Sequence, residues 1–260
     1  MSELVTESDL TVEQKGSILV VTMTGRERMN AQRRSFWPAL RSILLQAESD
    51  SSTSVIVITG EGDKAFSAGG DIIGYRQLTT TDQRREFIVD CMRTFEAVET
   101  CTKPVIAAVN GVAAGGGCEL AAACDIVLAA AHARFAVPET RLSLVPGFGV
   151  TRLVDIVGVS FAKYLILTGE FIDAPTAQRV GLVHEVVSDV PVLERALVVA
   201  EKIAGVGPLA SSTAKALVNR GLNTSYLSSV DAVVMLQGTN DAEEGIRAFE
   251  ERRKPKFSRT

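Results

Sequence analysis

The stretch Pro104–Cys124 reads PVIAAVNGVAAGGGCELAAAC. Its first six residues are an apolar run that suits a strand buried on both faces. Asn110-Gly111 then marks a turn. Three consecutive glycines follow, and Cys118–Cys124 is rich in alanine, which favours helix. Gly116 and Gly117 therefore fall in the first turn of that helix. A lone carboxylate, Glu119, sits in the same turn among small and apolar neighbours.

The same order recurs along the chain. Ser17–Thr24 (SILVVTMT) reads as a strand, and Ala31–Ala47 has apolar residues at helical spacing. Ser54–Thr59 (SVIVIT) is a continuous β-branched run, followed by the glycine turn Ala65-Phe66-Ser67-Ala68-Gly69-Gly70-Asp71. Thr81–Thr100 is an amphipathic helix, with Phe87, Ile88, Cys91, Met92, Phe95 and Val98 on one stripe. Ile126–Ala129 and Leu182–Val187 read as further strands. Repeated strand, glycine turn and helix predict an α/β chain. From about Val190 the strand signals stop. Helical stripes cover Val192–Ile203, Ala210–Leu222, Tyr226–Leu236 and Ala242–Glu251, so residues 1–204 read as the core and 205–260 as a helical C-terminal region.

Composition narrows the function classes. The 260 residues are 46% hydrophobic and 22% charged, with a net charge of −4, and no general basic face is available for nucleic acid. Ala and Val dominate the apolar set, which predicts tight layers rather than a wide apolar cavity. Cys91, Cys101, Cys118 and Cys124 form no CxxC pair, and His132 and His184 lie far from them in sequence, so no metal site is expected. Reduced, buried thiols and a cytoplasmic location are the expectation. The opening MSELVTESDL lacks the basic-then-apolar pattern of a secretory signal, and no apolar run reaches the ~20 residues of a membrane span.

The two glycine turns admit two readings. Each permits close packing of helix on strand. Each also presents N–H groups to an anionic oxygen, because helix N-termini hold unpaired donors and the positive dipole end. Convergence of the Gly70 and Gly116 N–H groups would make a two-donor oxyanion hole. Neither turn matches a dinucleotide-binding or P-loop pattern. Burial of Glu119 would raise its pKa and suit it to proton exchange near neutrality. A second carboxylate, Glu139, follows the strand-like Phe135-Ala136-Val137 and precedes the loop Leu144-Val145-Pro146-Gly147-Phe148-Gly149. Ser67 lies in the first turn, but neither histidine offers it a triad partner.

The string from Lys103 to Glu139, KPVIAAVNGVAAGGGCELAAACDIVLAAAHARFAVPE, closely resembles the enoyl-CoA hydratase/isomerase (crotonase) superfamily. KAFSAGGDI, LTGEFIDAPTAQRVGLVHEVV and EGIRAFEERRKPKF resemble that family's other motifs in order, over nearly the whole chain. The resemblance implies a spiral of ββα units with a helical C-terminal region that mediates trimerisation, as a homotrimer or homohexamer. It implies Gly70 and Gly116 as donors to a thioester oxygen, and Glu119 and Glu139 as catalytic acids and bases. It places Ala68, Asp71 and Ile72 along the coenzyme A path and Gly147 at the reacting centre. The implied activity is hydration of a trans-2-enoyl-CoA to a 3-hydroxyacyl-CoA. Coenzyme A enters as part of the substrate, and no separate cofactor is implied. Relatives that only shift a double bond usually lack one of the two acids, so isomerisation or other acyl-CoA chemistry is the alternative. Some relatives bind RNA, which the acidic balance disfavours here.

The chain departs from the family at two places. The first strand ends Met23–Asn30 without the usual proline, and position 73 is Ile where some relatives carry Lys near the coenzyme A phosphates. Arg26, Arg28, Arg33 and Arg34, or Arg252, Arg253, Lys254 and Lys256, are replacement cations or solvated basic faces. Residues 73–85 are expected to set acyl-chain preference.

Overall fold

Every residue of β4 (Val55–Gly60) and of β6 (Val105–Val109) is buried. A strand covered on both faces belongs in the middle of a parallel sheet. The computed structural model places both there. It describes residues 4–5, 9–75, 77–219, 235 and 239–260. Among these, β1 (Leu4–Val5), β2 (Leu10–Lys15), β3 (Ile18–Met23), β4, β6, β8 (Ile126–Ala130) and β11 (Glu185–Val187) form one sheet in the order β1-β2-β3-β4-β6-β8-β11. The β3-β4-β6-β8-β11 part is parallel throughout.

A second sheet was not foreseen. It joins β5 (Ala65–Ser67), β7 (Val112–Ala114), β9 (Arg134–Ala136) and β10 (Ile172–Asp173) in the order β10-β9-β7-β5. Strands of two or three residues carry too little alternation to read. They explain the repeat. Strands β4 and β5 lead to α2 (Ile72–Tyr75) and α3 (Thr81–Thr100). Strands β6 and β7 lead to α4 (Gly116–Ala123), and β8 runs on into β9. These units wind as the ββα spiral that the sequence resemblance implies, and each glycine turn lies just after a second-sheet strand.

Helix α3 keeps its predicted bounds because its start is chemically specified. Thr80 accepts from Gln83 N–H while the Gln83 side chain takes the Thr80 N–H. Helix α1 (Phe36–Ser49) starts later than Ala31, because Gln32 is held in a parallel bridge to Gly70. It buries Phe36, Trp37, Leu40, Ile43, Leu44 and Ala47, and packs on α3. Strand β11 is shorter than Leu182–Val187. His184 Nδ1 accepts the Val127 N–H (3.0 Å) and so replaces a ladder bond with a side-chain one.

Helices α5 (Val154–Val157), α6 (Val159–Thr168) and α7 (Ala174–Arg179) fill the span that the sequence left unread. Beyond it lie α8 (Val192–Ala204), α9 (Pro208–Asn219) and the last helix, Asn240–Glu250. The helix expected over Tyr226–Leu236 lies outside the described residues, apart from Met235. Helix α9 is tied to the start of β8 by a part-buried pair, Lys215 Nζ to Asp125 Oδ2 at 2.7 Å. All four cysteines are free and buried. Among the described residues no helix is long and apolar enough to cross a membrane.

Candidate active site

The first turn is pinned by its own backbone. Ala68 N–H donates to Met29 O (2.9 Å), and Gly69 N–H to Ser67 Oγ (3.1 Å). Gln32 N–H donates to Gly69 O (2.8 Å), and Asp71 N–H to Gln32 O (2.9 Å). This pattern brackets Gly70 without using its amide. In the second turn Gly115 takes φ +52° and donates to Ala136 O (3.0 Å), and Gly116 opens α4. The first N–H groups of a helix have no intrahelical acceptor. Among the described residues neither the Gly70 nor the Gly116 N–H has an acceptor.

The two turns abut. A Cβ on Gly69 would lie 2.5 Å from Ala114 O and 3.1 Å from Gly116 N. A Cβ on Gly117 would lie 2.3 Å from Ser67 O. Gly69 and Gly117 thus serve packing. A Cβ on Gly70 would meet nothing within 4 Å, so that residue faces open space. The packing reading holds at Gly69 and Gly117, whereas Gly70 is left open.

Glu119 is 6% exposed. Its Oε1 accepts the Gly149 N–H at 2.8 Å. That amide is aimed by a π-helical turn, Gly149–Leu153, a local widening that recurs at functional sites. Burial pushes the Glu119 carboxyl up to about 7; the nearby Glu139 charge adds to this, and the Gly149 and Phe148 N–H groups oppose it. Glu139 begins the 3-10 turn Glu139–Leu142 after β9. Its Oε1 lies 2.9 Å from where a Gly115 Cβ would be, and its Oε2 is buried without a partner. Burial raises its pKa too. Two partly desolvated carboxyls within electrostatic reach of each other thus flank the second glycine turn.

Gly147 lies on the loop whose Gly149 amide holds Glu119. A Cβ there would meet Met92 Cε at 2.5 Å. Asp71 caps α2, its Oδ1 accepting from Ile73 and Gly74 N–H at 3.2 Å each. Ala68 and Ile72 are exposed. Asp71 also borders a cleft of about 680 Å³ with Gln32, Arg33, Arg34, Tyr75 and Phe87. Arg28 is engaged by Asp9 (3.4 Å) and Glu27 (3.3 Å), and Arg33 by Asp9 (3.3 Å). The side chain of Arg26 lies outside those described. Arg253 is paired with Glu244 at 2.6 Å.

Ser67 is no nucleophile of a triad. Its Oγ is buried and donates to Asn30 O at 2.9 Å, His132 Nε2 bonds to the Asp63 and Asn110 carbonyls, and His184 bonds to Val127. Sequence reasoning missed Gln32, Met92 and the Phe148–Gly149 amides. Amide donors have no side-chain signature, although the PGFG run did mark the loop.

The enoyl-CoA hydratase/isomerase family model matches residues 13–260. The chain is 36% identical to the short-chain-enoyl-CoA hydratase of Clostridium acetobutylicum over 95% of its length and 96% of the relative. It is 37% identical to the crotonyl-CoA hydratase of Syntrophomonas wolfei over 96% of its length and 97% of the relative. The crystal structure of an enoyl-CoA hydratase from Bacillus anthracis superposes with a TM-score of 0.92 at 35% identity, covering 97% of this chain and 100% of that one. The chain belongs to the enoyl-CoA hydratase/isomerase family.

Proposed function

We propose that the protein is an enoyl-CoA hydratase, adding water across the 2,3 double bond of a trans-2-enoyl-CoA to give a 3-hydroxyacyl-CoA. The observation that carries this reading is the pair Glu119 and Glu139 beside two unspent backbone amides. The thioester oxygen accepts from Gly70 and Gly116 N–H. Negative charge builds on that oxygen as water adds at C3, and prepositioned amides stabilise it without reorganising. Glu119, with Oε1 fixed by Gly149, uses its other oxygen to take a proton from the attacking water. Its pKa near 7 makes it an effective base near neutral pH. Glu139, protonated at the outset, delivers its proton to C2. The pair then holds one proton as before, now on Glu119, and its return to Glu139 resets the site.

Ala68, Asp71 and Ile72 border the coenzyme A path, with Arg28 and Arg33 at its cationic edge. Gly147 lines the reacting centre. Residues 1–204 carry the site, and 205–260 mediate assembly as a homotrimer or homohexamer in the cytoplasm. The names of the relatives favour short acyl chains.

A product assay across acyl lengths, with mass detection of water incorporation, tests the activity. Hydration gives a 3-hydroxyacyl-CoA heavier by one water, and the ultraviolet absorbance of the enoyl thioester disappears. A product of unchanged mass with a moved double bond would make the protein an isomerase instead.

A further inference from the structure

Gln32 touches both glycine turns at once. Its main chain brackets Gly70, with N–H to Gly69 O at 2.8 Å and C=O from Asp71 N–H at 2.9 Å. Its side-chain Nε2 reaches the other turn and donates to Gly116 O at 3.4 Å. The amide is 1% exposed. Its Oε1 is buried without a hydrogen-bond partner and lies 2.6 Å from where a Gly116 Cβ would be. A stranded amide oxygen in a core is costly, and an apolar side chain of that length would avoid the cost. The main-chain bonds to the first turn do not need a glutamine, since any residue supplies them. Only the link to Gly116 does.

We propose that Gln32 is a positioning residue for the reaction, a strut that fixes the separation of the Gly70 and Gly116 amides. This rests on the reading of those amides as donors to the thioester oxygen. The backbone of Gln32 sets the first donor, and its side chain registers the second against it. Trp37 packs on the same glycine from behind, with Cη2 3.4 Å from the Gly116 Cβ position, so the turn is backed on two sides. Without the amide, the first turn keeps its bonds and the second is registered against it only by strand pairing and backbone packing, without the side-chain link to Gly116. Small errors in such positioning are expensive in rate.

The test compares wild type with Gln32→Met and Gln32→Leu in three measurements: hydration kinetics, thermal unfolding, and the absorption of bound cinnamoyl-CoA. A polarised thioester carbonyl moves that absorption to the red. In both variants kcat is expected to fall by on the order of 10-fold to 100-fold with little change in KM. The red shift shrinks, and Tm holds or rises because the stranded oxygen is gone. If wild type shifts the band and both variants keep the full shift and kcat, Gln32 is no strut. A lowered Tm with wild-type kcat and shift makes it a structural residue only, and overturns the proposal. If wild type itself produces no shift, the donor assignment of Gly70 and Gly116 fails, and the proposal falls with it.

Discussion

Glu119 shows how burial sets chemistry at a single residue. The surroundings that make its carboxylate costly also make it a base that works near neutral pH. Glu119→Gln and Glu139→Gln are each expected to cut kcat by about 10²–10⁴ while leaving the fold intact. Wild-type kcat/KM should rise through an acidic limb near pH 7 as Glu119 loses its proton. Stability should run the other way. The folded pKa lies near 7 and the ordinary value is 4.5, so the folded protein holds a proton that the unfolded chain releases between those values. The cost of the buried charge is absent below about pH 4.5 and complete above about pH 7, at most ~3 kcal/mol. Glu119→Gln should therefore unfold at a higher temperature than wild type at pH 8, with the gain fading towards pH 5. Equal gains at both pH values would show that burial does not strain this carboxylate. The sequence exposed both acids as candidates because each stands beside apolar residues. It could not show the Gly149 amide on Glu119, because that contact spans thirty positions and involves no side chain of the loop.

At the scale of elements, the long pieces were legible and the short ones were not. Val55–Gly60, Thr81–Thr100 and Val105–Val109 announce themselves through continuous apolar runs and helical spacing. The second sheet has strands of two or three residues, held by tertiary pairing rather than by local pattern. The glycines divide in the same way. Gly117→Ala would drive a Cβ to 2.3 Å from the Ser67 carbonyl, a backbone atom with no rotamer to yield. Unfolding in urea should show a loss of about 2 kcal/mol or more. Gly70→Ala meets open space and should keep wild-type stability. Equal stability of the two variants would contradict the abutting turns.

At the scale of the whole molecule, the described residues of the helical C-terminal region are bonded to the rest of the chain through polar links such as Lys215, Asn219 and Arg259. Lys215 is the deepest of them. It pairs with Asp125 and also donates to the Val98 and Lys103 carbonyls. Removing one partner of a part-buried pair leaves the other charge poorly solvated, so Lys215→Met should cost about 1–3 kcal/mol in chemical denaturation at neutral pH. A loss below the error of the measurement would mean that the Lys215–Asp125 pair does not hold α9 in place. Light scattering on wild type should give three or six times the chain mass of 27.7 kDa. What the sequence determined by itself is the repeat of buried run, glycine turn and helix; the ββα winding came from the family resemblance, because the short second strands leave no local pattern. The identities of the two acids came with it. What only the tertiary structure decided is the abutting of the two glycine turns at Gly69 and Gly116, the charge of Glu139 felt at Glu119, and the reach of Gln32 between two turns. Burial is written in composition and period, but convergence depends on how distant segments pack, and no local pattern encodes a backbone amide left unpaired.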